Sequence, residues 1–238
     1  MRLLRETALV VAICWGSLLC FAQQKADDLP QNYKTVLTDS FVKVIRVHYG
    51  PYEKVPVHNH PEVPTVYVYL NDSGPVRLTH YDEKMTAIVR PPTHKGAYRV
   101  SAGKMERHSV ENLSDLPSDY LRVELPGFRM DDPALEFRGK APADLSHDIS
   151  TTEFEIPGLA IRRIVCVDAA PCEVQRPSTP GVVVAFSDVV VSDGGRRTQL
   201  KLGDVMAVQA KEKLSLSAAG SEGAHVLVIT VEDELPVK

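Results

Sequence analysis

The sequence has no excess of positive charge, little cysteine and no apolar run long enough to cross a bilayer, and each shortage removes a class of function. Lysine and arginine total 27 against 31 aspartates and glutamates, a formal charge of -4 with an isoelectric point near 6.1. Such a chain offers no electrostatic attraction to nucleic acid or to an anionic membrane, so neither is expected as a partner. The one extended apolar run, Ala8 to Phe21, falls short of the roughly 20 residues that span a bilayer. It follows an arginine-bearing start and precedes Ala22, the arrangement of a cleavable export signal over residues 1–22. The expected location is therefore secreted or periplasmic. A lipid anchor at Cys20 fits less well, because Leu18 and Leu19 stand where small residues usually precede such a cysteine.

Cleavage after Ala22 takes Cys14 and Cys20 with it and leaves Cys166 and Cys172. In an oxidising compartment this pair either bridges a hairpin or stays as two buried thiols, and spacing alone does not choose. There is no phosphate loop and no Gly-x-Ser-x-Gly elbow; "SDGGRRTQ" reads as a hairpin turn between strands.

Helix-period patterns are scarce as well, and short β-branched runs bounded by Pro, Gly, Asn and Asp take their place: "FVKVIRVHY", "TVYVYL" and "YLRVEL" in the first half, "LAIRRIVCV", "GVVVAFSDVVV" and "HVLVITV" in the second. The fold class this implies is all-β. Between the halves, residues 126–150 are rich in Pro, Asp and charge and read as a linker. An internal repeat emerges when "VHNHPEVPTVYVYLND" (Val57 to Asp72) is laid without a gap over "EVQRPSTPGVVVAFSD" (Glu173 to Asp188), which matches Pro61 to Pro177 and Pro64 to Pro180. In this alignment His58 falls on Val174 and His60 on Arg176, and a second stretch, "HSVENLSDLPSDYLRVEL" laid over "LSLSAAGSEGAHVLVITV", puts His108 on Leu214. Three histidines that vanish together from the second copy point to one joint role in the first.

Side chains alternate along a strand, so His58 and His60 of "VHNHPE" project from one face. A lone His-x-His is more often two hydrogen-bonded imidazoles than a metal site. A third imidazole, His108 of "SAGKMERHSVEN", changes the balance, because neutral imidazoles suit iron, zinc, copper or nickel and three of them leave coordination positions open, while a carboxylate ligand would favour manganese.

With these residues the first copy resembles a cupin, a double-stranded β-helix barrel that holds a metal in its mouth. "GPYEKVPVHNH" matches the start of the family's first motif, and "SAGKMERHSVEN" its second, with Asn112 as the trailing asparagine. The resemblance implies two double-stranded β-helix (jelly-roll-like) barrels: a metal-binding one over residues 33–125 and a degenerate one without ligands over residues 151–235, packed together as a bicupin. It implies His58, His60 and His108 as metal ligands. Where the family places a glutamate, this chain has Pro64 or Thr65, so Glu62 is either a substitute fourth ligand or a solvated rim carboxylate. "AGKMERH" is also longer than the usual turn before the third histidine, which raises the expectation of a shifted loop. His48, His80, His94, His147 and His225 have no motif context and are expected at the surface or core edge. Tyr67 and Tyr69 share a face with Thr65 and either line the pocket or pack in the barrel.

The functions this supports are a metal-dependent oxygenase or isomerase of a small organic molecule, or a non-catalytic protein that holds a small ligand or metal, in either case as a monomeric pseudo-dimer or a homodimer. The export reading predicts a mature chain that begins at Gln23, checked by N-terminal mass spectrometry of protein recovered outside the cytoplasm; a retained Met1 would refute it.

Overall fold

The computed structural model describes residues 29–232 apart from 169, 175, 176 and 212, so the expected export signal over residues 1–22 lies outside the described residues. Among the described residues every regular element is a β-strand, every pairing is antiparallel, and no helix is long and apolar enough to cross a membrane. The first unit comprises β1 (Tyr33–Thr38), β2 (Lys43–Tyr49), β3 (Lys54–His60), β4 (Thr65–Tyr69), β5 (Val76–His80), β6 (Thr86–Arg90), β7 (Tyr98–Ser101), β8 (Glu106–Asn112), β9 (Ser118–Glu124) and β10 (Glu136–Gly139). They form a six-stranded sheet, β1-β2-β9-β4-β7-β10, facing a four-stranded one, β3-β8-β5-β6.

The second unit repeats this arrangement strand for strand. It contains β11 (Ile149–Ile156), β12 (Leu159–Cys166), β13 (Cys172–Val174), β14 (Gly181–Ala185), β15 (Val189–Asp193), β16 (Arg196–Leu200), β17 (Val205–Val208), β18 (Leu214–Ala218) and β19 (Ala224–Val231). Its sheets run β11-β12-β19-β14-β17 and β13-β18-β15-β16, the order of the first unit without a counterpart of β10. The gapless repeat alignment places β4 directly on β14. β15 and β16 are joined by Gly194 and Gly195, both with positive φ (54° and 89°), as a two-residue hairpin turn requires. Cys166 and Cys172 are joined as a disulfide, linking β12 to β13 with their Cα atoms 6.2 Å apart.

Residues 126–150, which read as a linker, contain β10 and the start of β11. β10 extends the first sheet by pairing with β7, and its Phe137 ring lies 6.0 Å from Tyr98 and 4.9 Å from Phe154 of the second unit. Local composition hid this strand because its stabilising contacts come from two distant elements.

The two units share one apolar core. Val66, Val68, Val100, Leu121 and Val123 of the first six-stranded sheet pack with Ile161, Val182, Val184, Leu227 and Ile229 of the second unit. Each such side chain contributes roughly 1.5–3 kcal/mol when fully buried, so the contact is the main apolar anchor between the units. A second core fills the inside of the second unit, with Val183, Val189, Leu214, Leu216, Val226 and Val228 among its members. Inside the first unit the apolar cluster is small: Tyr33, Ile45, Val47, Tyr49, Val55 and Val110. Much of the remaining interior of that unit is polar, with His58, His60, Arg99, His108, Arg122 and Glu124 buried.

One polar link crosses between the units. Arg163 on β12, wholly buried, donates through Nε and Nη2 to Glu153 (2.7 and 3.1 Å), through Nη2 to the Gly96 carbonyl of the first unit (2.8 Å), and through Nη1 to Nε2 of His225 (2.9 Å). His225, expected at the surface or core edge, is thus part of this buried network. Burial, followed by the Arg163 and Lys95 charges, depresses its pKa to about 3. In the unfolded chain His225 takes up a proton near its ordinary value of 6.5, whereas in the folded chain it resists until about pH 3. Stability from this group is therefore complete above pH 6.5 and lost as the pH falls from there toward 3. Denaturant unfolding between pH 7 and 4 should show this loss, and His225→Gln, which keeps an acceptor for Arg163, should make the pH dependence shallower.

Candidate metal centre and pocket

The site grows from the pairing of β3 and β8. These strands are antiparallel neighbours, and His58 stands directly opposite His108, while alternation brings His60 to the same inner face. A register shift between Val55 and His58 resets the pleat before the pair. β3 is an edge strand, which tolerates Pro56 and its missing N–H. The longer turn before His108 does not displace it. Gly103 in that turn has φ +89°, and a Cβ there would collide with the Val63 carbonyl, so glycine lets the loop close tightly against the segment after β3.

His58, His60 and His108 are buried, with exposures of 5%, 2% and 3%, and one ring nitrogen from each lies within 4.8 Å of the others. The His58 ring stands perpendicular to those of His60 and His108, at centroid distances of 4.8 Å. Burial, reinforced by Arg122 at each and by neighbouring imidazoles at His60 and His108, depresses all three pKa values, that of His108 to about 3. All three rings are therefore neutral, the form that binds metal. Both nitrogens of His60 and Nδ1 of His108 are buried without a hydrogen-bond partner. Unpaired buried polar atoms are costly, and a bound cation is one of the few groups that satisfies several at once.

His58 is oriented from both sides. The Pro56 carbonyl can only accept, so His58 donates to it from Nδ1 (2.8 Å) and presents its lone pair at Nε2. Tyr33 of β1 donates its hydroxyl to that Nε2 at 2.8 Å. The direction of the chain behind it follows: Tyr49 donates to Tyr33 (2.7 Å), and Tyr120 donates to Tyr49 (2.8 Å). Burial raises the pKa values of these phenols, that of Tyr120 to about 12, so all remain protonated donors.

Beside the histidines lies a cavity of about 670 Å³, including its solvent-open mouth. Tyr67, Tyr69 and Tyr120 form its wall, Val76, Leu78 and Val110 an apolar flank, and Arg90, Arg99, Arg122 and Arg138 a basic border. Arg122 is buried beside an equally buried Glu124, 3.3 Å away, and donates to the Tyr67 hydroxyl at 3.2 Å. Glu106 also lines this cavity, with Oε2 3.6 Å from His108 Nδ1. A second, wider groove adjoins this cavity, and His60 and Glu106 border both spaces.

Of the residues singled out in the sequence, the three histidines converge, and Tyr67 and Tyr69 line the cavity. Glu62 is exposed and lies outside the histidine group. Thr65, one of the two residues where the family places its glutamate, is buried and donates to the Val63 carbonyl instead. His48, His94 and His147 are exposed beside Asp119, Asp72 and Asp144; His80 is half-buried with its ring 5.6 Å from His108. Tyr33, Tyr49, Tyr120, Arg99, Arg122 and Glu106 were missed. The two arginines had a signal, since each sits alone among apolar neighbours in "YRV" and "LRV", but in a single strand this pattern equally describes a solvent-facing residue.

No family model and no curated protein sequence matches the chain. Solved structures do. YhaK from Escherichia coli shares 12% identity at a TM-score of 0.59, over 84% of this chain and 94% of that one. Salicylate 1,2-dioxygenase from Pseudaminobacter salicylatoxidans shares 12% at 0.56, over 84% and 76%. Bacillus subtilis oxalate decarboxylase, described with Mn(II) centres, shares 14% at 0.54, over 82% and 70%. The chain has the cupin fold, in duplicate. At these identities the likeness is one of fold, and the case for a metal in this bicupin rests on its own donor set.

That donor set fits a divalent transition metal: three neutral imidazoles on adjoining strands, one with its tautomer locked and another with both nitrogens unpartnered. The expected result of elemental analysis, on protein purified without a histidine tag or chelator and reconstituted, is close to one metal per chain. His58→Ala, His60→Ala and His108→Ala should each lower affinity by about ten-fold or more, while His94→Ala leaves it unchanged.

Proposed function

We propose that this bicupin is an exported metal-dependent enzyme, an oxygenase or isomerase acting on a small organic molecule in the first barrel. The observation that carries this reading is the buried, hydrogen-bond-deficient His60 and His108 in the lining of a cavity they share with tyrosine and arginine. The cation class is iron, zinc, copper or nickel, as suits imidazole ligands, with manganese as the harder alternative. A neighbour named as a dioxygenase and another named as a decarboxylase with Mn(II) centres support metal-centred chemistry on this fold.

A bound divalent ion supplies Lewis acidity and, if redox-active, access to dioxygen chemistry. The protein's own residues do the rest. Pro56 holds His58 in the Nδ1–H tautomer, and Tyr33 waits at Nε2, so metal loading requires that hydroxyl to release the lone pair. Val76, Leu78 and Val110 keep one flank of the cavity dry, which strengthens electrostatic interactions inside it. Glu106, at the border of both spaces, is the carboxylate placed to accept or return a substrate proton near His108. Tyr120, Tyr49 and Tyr33 form a hydrogen-bonded line from the cavity wall to His58.

The test pairs oxygen uptake with product analysis on iron-, manganese-, zinc-, copper- and nickel-reconstituted protein against a panel of small organic substrates. Turnover with at least one metal, abolished in His60→Ala and lowered about a hundred-fold in Glu106→Gln with metal retained, is the expected outcome. Stoichiometric metal and tight ligand binding without turnover would instead establish a non-catalytic binding protein.

A further inference from the structure

Arg99 has no part in the metal site, yet this buried arginine of the cavity keeps a donor without a partner. It lies on β7 with 4% of its surface exposed, and its guanidinium sits 4.0 Å over the Tyr67 ring. Nη1 donates to Glu136 Oε1 at 3.2 Å, but that carboxylate belongs to the edge strand β10 and is half exposed. Nε is buried and has no hydrogen-bond partner. A guanidinium is always charged and presents its donors as a planar fork, so a buried Nε–H left idle is an open half of a bidentate site.

The surroundings sharpen the chemistry. Arg122, the other buried arginine of the cavity, is satisfied by Glu124 and the Tyr67 hydroxyl. Among the described residues neither Arg90 nor Arg138 has an ion-pair partner, and both border the same cavity. Counting the carboxylates that face or pair with these groups, Glu106, Glu124 and Glu136, four guanidinium groups meet three negative charges. One positive charge remains unmatched before any metal is added. Val76, Leu78 and Val110 give the same cavity apolar lining beside these arginines and beside His60 and His108.

We propose that the arginine border is a substrate-anion subsite, in which Arg99, assisted by Arg90 and Arg138, holds the carboxylate of a small organic monoacid. The acid's carbon skeleton lies along Val76, Leu78 and Val110, and its far end reaches His60 and His108. Only this last contact rests on the metal-centred reading; capture of the carboxylate does not.

Calorimetric titration of the full chain at low ionic strength tests the assignment, with acetate, benzoate and phenylacetate as probes, each beside its amide, and inorganic phosphate as a separate probe. At least one carboxylate should bind ten-fold or more tightly than its amide, and binding should weaken with salt. Arg99→Lys keeps the charge but removes the fork and should cost that carboxylate ten-fold or more, while Arg129→Gln on the exposed surface changes nothing. Should Arg99→Lys not fold, the double variant Arg90→Gln with Arg138→Gln takes its place, with the same expected direction. Carboxylate binding should persist in metal-free His60→Ala protein, which separates this subsite from the metal reading. Equal binding of acids and amides, full affinity in the arginine variants, tighter binding of phosphate than of every carboxylate, or loss in His60→Ala alone would overturn the proposal.

Discussion

The structure depends on one apolar contact, the packing of the first unit's six-stranded sheet on the sheet of the second unit. Val66, Val68, Leu121 and Val123 turn away from their own barrel to meet Val182, Val184, Leu227 and Ile229. Because the hydrophobic free energy of these strands is spent on that outer face, the inner face need not be apolar. The first barrel can then carry tyrosine, arginine, glutamate and histidine inside without losing its anchor.

The second barrel shows what the same framework looks like when its interior serves packing alone. In the first unit Tyr67 stands between Arg99 and Arg122 across three paired strands; the equivalent register in the second unit holds Val183 between Met206 and Val228. The facing sheet shows the same exchange: the pair His58 and His108 becomes Val174 and Leu214, both buried. Polar groups inside a barrel cost desolvation unless they are paired. The first unit meets that cost by placing Glu124 beside Arg122, Glu136 beside Arg99 and a line of hydroxyls behind His58. His60, His108 and the Arg99 Nε are left unsatisfied, and these are the atoms at which a cation and an anion would gain most.

Much of this was legible before any coordinates. The alternation in "TVYVYL" and "GVVVAFSDVVV" identified strands, and the repeat matched β4 to β14 and, in its later stretch, His108 to Leu214. The Asp-Gly-Gly-Arg turn lies where composition placed it. The histidine triad was readable because two of its members share one strand and the third has a recognisable local context. Tyr33 had no such context. It reaches His58 from the edge of the opposite sheet, 25 residues earlier in sequence, and only the closing of the barrel brings them together. β10 was hidden for the same reason, and Arg163 and His225, which look like surface residues in their own strands, are buried by the other unit.

The sequence by itself determined the strands, their alternation, the duplication and the pairing of His58 with His60 on one face, because these follow from local chemistry with a period of two. Alternation defines two faces for each strand but does not say which is covered by a partner sheet and which encloses a cavity. Only the tertiary structure decided that Leu121 and Val123 face the other barrel while Tyr120, Arg122 and Glu124 turn inward. The reason is physical: the outer face of the first sheet is buried by a second copy whose position no single strand encodes.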